Sequence, residues 1–291
     1  MIRNTLIAAI SVLSLLLPAV SFAQDTQSQV QSQSQQGGAS GKPAASRTKG
    51  GQAAKPELQV VRADTLLGME VKNQQGEKLG EIENFMIDVK DGNIAYTVMD
   101  TGLFGKLLAV PMRALTVKPG ERTAMLNVDK AKLQQAPSFA TDSWSDAVER
   151  RWLVDVYTFY GTQPYPSLQV ITTEPIGVAH ADKILGLDAE NPQGENLGEI
   201  ENLLIDMTAG RIASIMLAFG GWLGLGENLA PVPWDALTFK PGTDRVTLNV
   251  DKEKLRKAPQ FAKDNWPATV ERQWLANVYA YYGEKPYWQA N

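Results

Sequence analysis

The chain has 291 residues, a formal net charge of −4, one histidine and no cysteine. Without cysteine there is no disulfide, thiolate chemistry, cysteine-ligated metal or lipid-modified cysteine, so stability has to come from packing. A single imidazole excludes sites that need two, most zinc enzymes among them, while a Ser-His-Asp triad stays formally open. Lysines and arginines are interspersed with acids rather than gathered in a stripe, which speaks against nucleic acid as a partner.

The first element is a short basic start, Met1-Ile2-Arg3-Asn4, followed by an uncharged, mainly apolar run from Thr5 to Val20. With Ser21-Phe22-Ala23 after it, this is the layout of a secretory signal, expected to be residues 1–23 and cleaved after Ala23. The expected localisation is periplasmic. The alternative is an uncleaved signal that tethers the protein to the membrane with everything downstream outside. Residues 24–57 are almost all Gln, Ser, Gly, Ala, Thr and Lys and cannot bury enough apolar surface to offset their ordering entropy, so a disordered linker is expected. Membrane contact is confined to this N-terminal part, through Lys42, Arg47, Lys49 and Lys55 at most.

The rest is a duplication. Leu67-Gly68 recurs as Leu185-Gly186, the GEIEN run Gly80 to Asn84 as Gly198 to Asn202, and Ile94-Ala95 as Ile212-Ala213. Beyond these the offset grows by four residues and stays fixed, pairing Pro119-Gly120 with Pro241-Gly242 and Trp152-Leu153 with Trp274-Leu275. We read copy 1 as 58–165, a linker as 166–182 and copy 2 as 183–291. His180, in the linker, reads as an ordinary linker or surface residue.

Within a copy, short strands come first. Gly68 to Val71 and Lys78 to Ile82 flank the polar Asn73-Gln74-Gln75-Gly76 and read as a hairpin. The following run, Ile82 to Val89, changes the phase of its apolar positions, which predicts a bulge near Glu83-Asn84. Strands at Ile94 to Met99, Leu107 to Val110 and Thr123 to Val128 complete a small barrel or sandwich. A helical period then takes over: Trp144, Val148, Trp152 and Val156 recur every four residues, with Ser143 as candidate cap and Gly161 as stop. In copy 2, Asn265, Pro267 and Gly283 stand in the same roles. The expected fold class is mainly β with appended helices (α+β), two tandem small β-barrels each followed by a helical segment. The aromatic stripe is expected to pack on its own barrel, with a sugar-stacking surface or a partner-docking helix as alternatives.

Copy 2 carries Gly198-Glu199-Ile200-Glu201-Asn202-Leu203-Leu204-Ile205-Asp206, then Gly210-Arg211-Ile212, Gly220-Gly221-Trp222-Leu223-Gly224-Leu225-Gly226-Glu227 and Ala230-Pro231-Val232-Pro233-Trp234. These runs resemble the PRC-barrel family, named for the cytoplasmic domain of the photosynthetic reaction-centre H subunit and also found in a ribosome maturation factor. The resemblance covers Leu185 to about Val250. Copy 1 fits less closely, lacking four residues of the Gly-rich loop and carrying Met112 in place of Trp234. The resemblance implies a small β-barrel used for binding or assembly, with no catalytic residues, cofactor or metal to carry over. The helical extension is similar to that of exported bacterial proteins with this barrel. Export argues against ribosome maturation, and the lack of a long anchoring helix argues against a reaction-centre subunit.

Three further features bear on chemistry. Gly221 to Gly226 has the glycines of a phosphate-cradling loop but lies between strands instead of before a helix, so it reads as a hairpin connection. Its apolar side chains, Trp222, Leu223 and Leu225, with Leu103 and Phe104 as the shorter counterpart in copy 1, are the candidate partner-binding residues; the alternative is that they fold over their own barrel. Glu81 with Glu83, and Glu199 with Glu201, stand two apart as a regular strand would place them on one face, but a solvated or turn-bracing role is favoured over a cation site or acid–base pair. The reading is therefore a non-catalytic envelope protein, binding an unidentified envelope protein or itself. The alternative is a periplasmic ligand-binding protein or hydrolase that uses the aromatic stripe and paired acids.

Overall fold

The computed structural model describes residues 58–102, 106–118, 120–141, 143–145, 147–170, 172–222, 225–239, 244–263, 265–266 and 270–289. The expected signal and leader, 1–57, lie outside the described residues. Copy 1 runs β1 (Val60–Arg62), α1 (Ala63–Leu66), β2 (Glu70–Lys72), β3 (Lys78–Asp88), β4 (Ile94–Asp100), β5 (Lys106–Val110), β6 (Leu115–Val117), β7 (Thr123–Leu126), α2 (Lys130–Leu133), β8 (Ser138–Ala140), β9 (Ala147–Val148) and α3 (Arg150–Phe159). Copy 2 repeats this as β10 (Ile176–His180), α4 (Ala181–Ile184), β11 (Asp188–Glu190), β12 (Asn196–Asp206), β13 (Arg211–Trp222), β14 (Leu225–Val232), β15 (Leu237–Phe239), β16 (Arg245–Leu248), α5 (Lys252–Lys257), β17 (Phe261–Ala262) and α6 (Arg272–Tyr282).

The strands of copy 1 order as β6-β7-β2-β3-β4-β5-β8, and those of copy 2 as β15-β16-β11-β12-β13-β14-β17. Neither sheet closes on itself through hydrogen bonds among the described residues, which corrects the expectation of closed barrels. Each sheet has an 11-residue strand, β3 or β12, whose apolar residues are buried along its second half. The phase change expected near Glu83-Asn84 is a register shift between Ile82 and Asn84 in β3, repeated between Ile200 and Asn202 in β12. Each bulge lets the strand turn its apolar residues inward before and after the slip without parting from its neighbour.

The two copies exchange their first strands. β1 adds antiparallel to β12 of copy 2, Val60 opposite Asp206 and Arg62 opposite Leu204. β10 adds in the same way to β3 of copy 1, Val178 opposite Asp88 and His180 opposite Met86. Segment 166–182, read from sequence as a linker, thus holds a 3-10 turn at Pro166–Gln169 and the strand that completes the other copy's sheet. The asparagine of each GEIEN run grips the incoming segment. Asn84 Oδ1 accepts the Ala181 N–H at 3.1 Å while also accepting the Phe85 N–H at 2.8 Å, and the Asn202 side chain hydrogen-bonds Asp64. Buried polar groups of this kind are costly unless paired, so the exchange explains why an amide stands in the middle of an apolar strand.

One core joins the copies. Phe85, Ile87, Ile94 and Met112 from copy 1 belong to the same buried cluster as Leu203, Ile205, Ile212 and Trp234 from copy 2. The β3–β4 and β12–β13 turns meet across the quasi-dyad, with Ile94 N–H donating to Gly210 O at 2.9 Å and Ile212 N–H to Gly92 O at 2.8 Å. Trp234 lies against the Gly92 backbone and its indole N–H donates to Val89 O at 3.4 Å. On the other side of the axis Arg113 donates to Ala209 O through both Nε and Nη2, at 3.0 and 2.7 Å.

The helices cover the outer sheet faces. Leu153, Val156 and Tyr157 of α3 pack on Tyr96, Val98 and Leu107 of their own copy, joined by Ile176 and Val178 of the exchanged strand. Leu275, Val278 and Tyr279 of α6 pack on Met216, Ala218 and Leu229, joined by Leu58 and Val60. The helices begin later than the four-residue spacing predicts. α3 starts after Glu149 and α6 after Glu271, neither with a side-chain cap, so Ser143 and Asn265 are not caps and Trp144 precedes the helix. Pro267 lies outside the described residues. The extra run is instead β9, two residues held by β10. Among the described residues no helix is long and apolar enough to cross a membrane.

Candidate binding clefts

The expected tip residues end one hairpin. β13 and β14 stay paired out to Trp222 opposite Leu225, so the Gly-rich run is mostly strand, with Gly220 at φ +75° taking a conformation suited to glycine. The run expected as a hairpin connection is thus itself largely paired, and the four extra residues of copy 2 lengthen the hairpin. Leu223 lies outside the described residues, as do Leu103 and Phe104 in copy 1. The side chains of Trp222 and Leu225 are likewise not described.

The structure brings other residues together. Each copy has a cleft at the same place, between the start of its long strand, the β4–β5 or β13–β14 hairpin and the short helix that follows. In copy 1 it holds about 590 Å³ and in copy 2 about 740 Å³, both within the range of small-ligand sites, roughly 300–1,000 Å³. The copy 1 cleft is lined by the exposed Lys78, Lys106 and Lys130 and the buried Leu79, Leu108 and Leu133, together with Thr101, Gln134 and Ser138. The copy 2 cleft has Asn196, Asn228 and Lys252 at the positions of those lysines, and adds Asp188, Glu199, Glu201 and Glu227. Arg256 and Lys263 line it as well as Lys252, so the duplication has kept the hollow and turned a lysine-rich rim into one of mixed charge.

The paired acids of copy 2 fall at its cleft. Glu199 and Glu201 both line it, and there Lys263 Nζ bridges Glu201 at 2.8 Å and Glu227 at 3.0 Å, an arrangement that holds the lysine charge firmly. In copy 1 Glu81 instead pairs with Lys78 at 2.6 Å, and Glu83 is exposed at the bulge. Among the described residues no group of three or more His, Asp or Glu side chains is placed to hold a metal ion. The clefts were not legible from sequence, because their lysines are spread over three elements with no common spacing.

Two buried polar groups stand at the junction of the copies. His180, expected at the surface, is only 5 % exposed: as the last residue of β10 it is carried into copy 1, where its ring lies 4.7 Å from that of Trp144. The equivalent place in the other copy has the Arg62 guanidinium over Trp266 at 4.4 Å, a cation–π contact. Asp88 accepts the Lys90 N–H at 3.0 Å and the Tyr165 hydroxyl at 3.2 Å. Burial, helped by the nearby Asp91 carboxylate, pushes its pKa up to about 6 against these two donors. Asp88 faces neither cleft.

The sign of this shift gives a prediction. Because the folded-state pKa lies above the unfolded value, the native state holds the proton more firmly, and stability falls as pH rises from about 4 through 6. Asp88→Asn stays neutral and can keep both hydrogen bonds. It is expected to stabilise the protein by about 1–2 kcal/mol at pH 7.5, a figure already reduced for partial solvent access, and to change nothing at pH 4. Thermal melts of both proteins across that range check it; a gap that does not vary with pH would refute the assignment.

Residues 59–133 and 177–255 match the model of the PRC-barrel domain, once in each copy, and the chain belongs to the PRC-barrel family. Both matches end before α3 and α6; the first includes the exchanged strand β1 and the second all of β10 but Ile176. No curated protein matches the chain.

Proposed function

We propose that this is a non-catalytic, exported envelope protein in which the two PRC-barrel copies, each with its helical extension, act as one binding or assembly body. The observation that carries the reading is the exchange of β1 and β10, which makes the duplicated domain a single two-faced scaffold with unlike clefts and hairpins. The family supplies the role of a binding module, and the layout of Met1 to Ala23 supplies export. The long hairpin ending at Trp222 and Leu225, present in copy 2 alone, is the contact point for an envelope partner or a second copy of the chain.

The test is photo-crosslinking in intact cells from a benzoyl-phenylalanine at position 222, with the same probe at the exposed Gln193 as control, after osmotic-shock fractionation. Recovery in the periplasmic fraction and a discrete intermolecular adduct from position 222 alone are expected. Recovery in the cytosol overturns export, and adducts confined to the chain's own residues overturn the hairpin as a contact.

A further inference from the structure

We propose that the copy 1 cleft binds a small amphiphilic anion, an apolar body of one chain or ring system with a single carboxylate, sulfonate or phosphate head. The inference goes beyond the assembly reading and does not depend on it.

The cleft is built in two levels. Leu79, Leu108 and Leu133 form its floor and are 4 %, 7 % and 6 % exposed, part of the shared core. Lys106 stands two residues ahead of Leu108 on β5, so strand geometry puts both on one face. Lys130 stands three residues ahead of Leu133 on α2, with Gln134 beside it, again on one face. Each of these elements therefore offers an aliphatic group below and an ammonium at the rim, and Lys78 adds a third cation whose partner is Glu81. Thr101, Gln134 and Ser138 also line the cleft and can hydrogen-bond an oxyanion. A neutral apolar ligand would leave the rim unused, and an inorganic anion would leave the floor unused; a ligand with both parts uses both levels.

Copy 2 provides a comparison within the same molecule. At the equivalent places Asn196, Asn228 and Ala230 replace Lys78, Lys106 and Leu108, Phe219 replaces Thr101, and Glu199, Glu201 and Glu227 surround the space. One floor leucine is lost, and the four carboxylates, Asp188 among them, offset Lys252, Arg256 and Lys263, the last already held by Glu201 and Glu227, so this hollow lacks the uncompensated positive rim of copy 1.

The experiment is a fluorescence titration of the full chain with 8-anilinonaphthalene-1-sulfonate, followed by displacement with decanoate, decyltrimethylammonium or inorganic phosphate. One saturable site is expected. Decanoate should displace the probe, and neither the cation nor phosphate at equal concentration should. Lys106→Glu with Lys130→Glu should weaken probe binding at least tenfold, and Asn228→Glu with Lys252→Glu, the matched pair in copy 2, should leave it unchanged. All four positions are exposed or half-exposed, and thermal melts confirm that both variants fold. Absence of a saturable site, equal effects of the two variant pairs, or displacement by decyltrimethylammonium as good as by decanoate overturns the proposal. None of these outcomes touches the crosslinking result at position 222, so the two readings fail separately.

Discussion

Replacing Trp234 by alanine is expected to destabilise the protein by about 3–5 kcal/mol and to loosen both copies together. Trp234 is 2 % exposed, stacks on Phe239 at 4.4 Å between ring centroids, and covers Gly92 of the other copy with its indole N–H on Val89 O. Its loss opens a void where the β3–β4 turn of copy 1 meets the core of copy 2. Because the core is continuous, the melt should remain a single transition, lowered by roughly 10 °C at a few degrees per kcal/mol. Two separated transitions in calorimetry would mean that the copies fold independently and that the shared core has little energetic weight. Phe239→Leu, which shortens the stacking partner but leaves the contact between copies, serves as the milder control, with an expected loss of about 1 kcal/mol.

The second large effect is expected from the first glycine of the GEIEN runs. A Cβ on Gly80 would come to 2.3 Å from Asp100 O, and one on Gly198 to 2.1 Å from Ala218 O. In both cases the obstacle is backbone of the neighbouring strand, so the sheet itself has to part. Gly198 also sits at φ +136°, a conformation L side chains rarely adopt. Gly220, at φ +75°, has open space around its missing Cβ. Alanine at Gly220 is therefore expected to cost only about 1 kcal/mol from backbone strain, against roughly 3–5 kcal/mol at Gly80 and at Gly198. Denaturant titration of the three variants separates steric contact from φ strain. If Gly80→Ala is as mild as Gly220→Ala, the close approach of β3 to β4 is wrong.

What the sequence made legible was local. The apolar phase slip at Ile82, Phe85 and Ile87 located the bulge because a strand has a fixed period of two and any break in it must be accommodated nearby. The polar turn at Asn73 to Gly76 and the paired runs on either side located the first hairpin for the same reason. The helix start was misjudged because Trp144 and Val148 fit a spacing of four while their backbone is held as an edge strand and an approach to α3, and a periodicity of four residues over so short a run does not distinguish the two. His180 was placed at the surface because its strand has no partner within its own copy. Its burial depends on Met86, nearly a hundred residues earlier in the chain, and no local pattern encodes that. The candidate site divides in the same way: paired glutamates are visible in a strand, but a cleft whose lysines come from β3, β5 and α2 exists only once the sheet has formed.

The exchanged strands also order events in time. β1 is complete near the start of the folded region, yet the strand it must join, Asn196–Asp206, comes after the whole of copy 1. A chain threaded through a pore from its N-terminus would offer β10 to the β3 edge soon after copy 1 is complete, but would hold β1 without a seat until β12 had emerged. Closure of such distant pairs is slow compared with local hairpins, because the entropy of a long loop has to be overcome before any contact rewards it. Copy 1 can therefore complete its sheet with β10 first, and the interval before β12 appears is when the unpaired β1 is most exposed to pairing with the wrong chain.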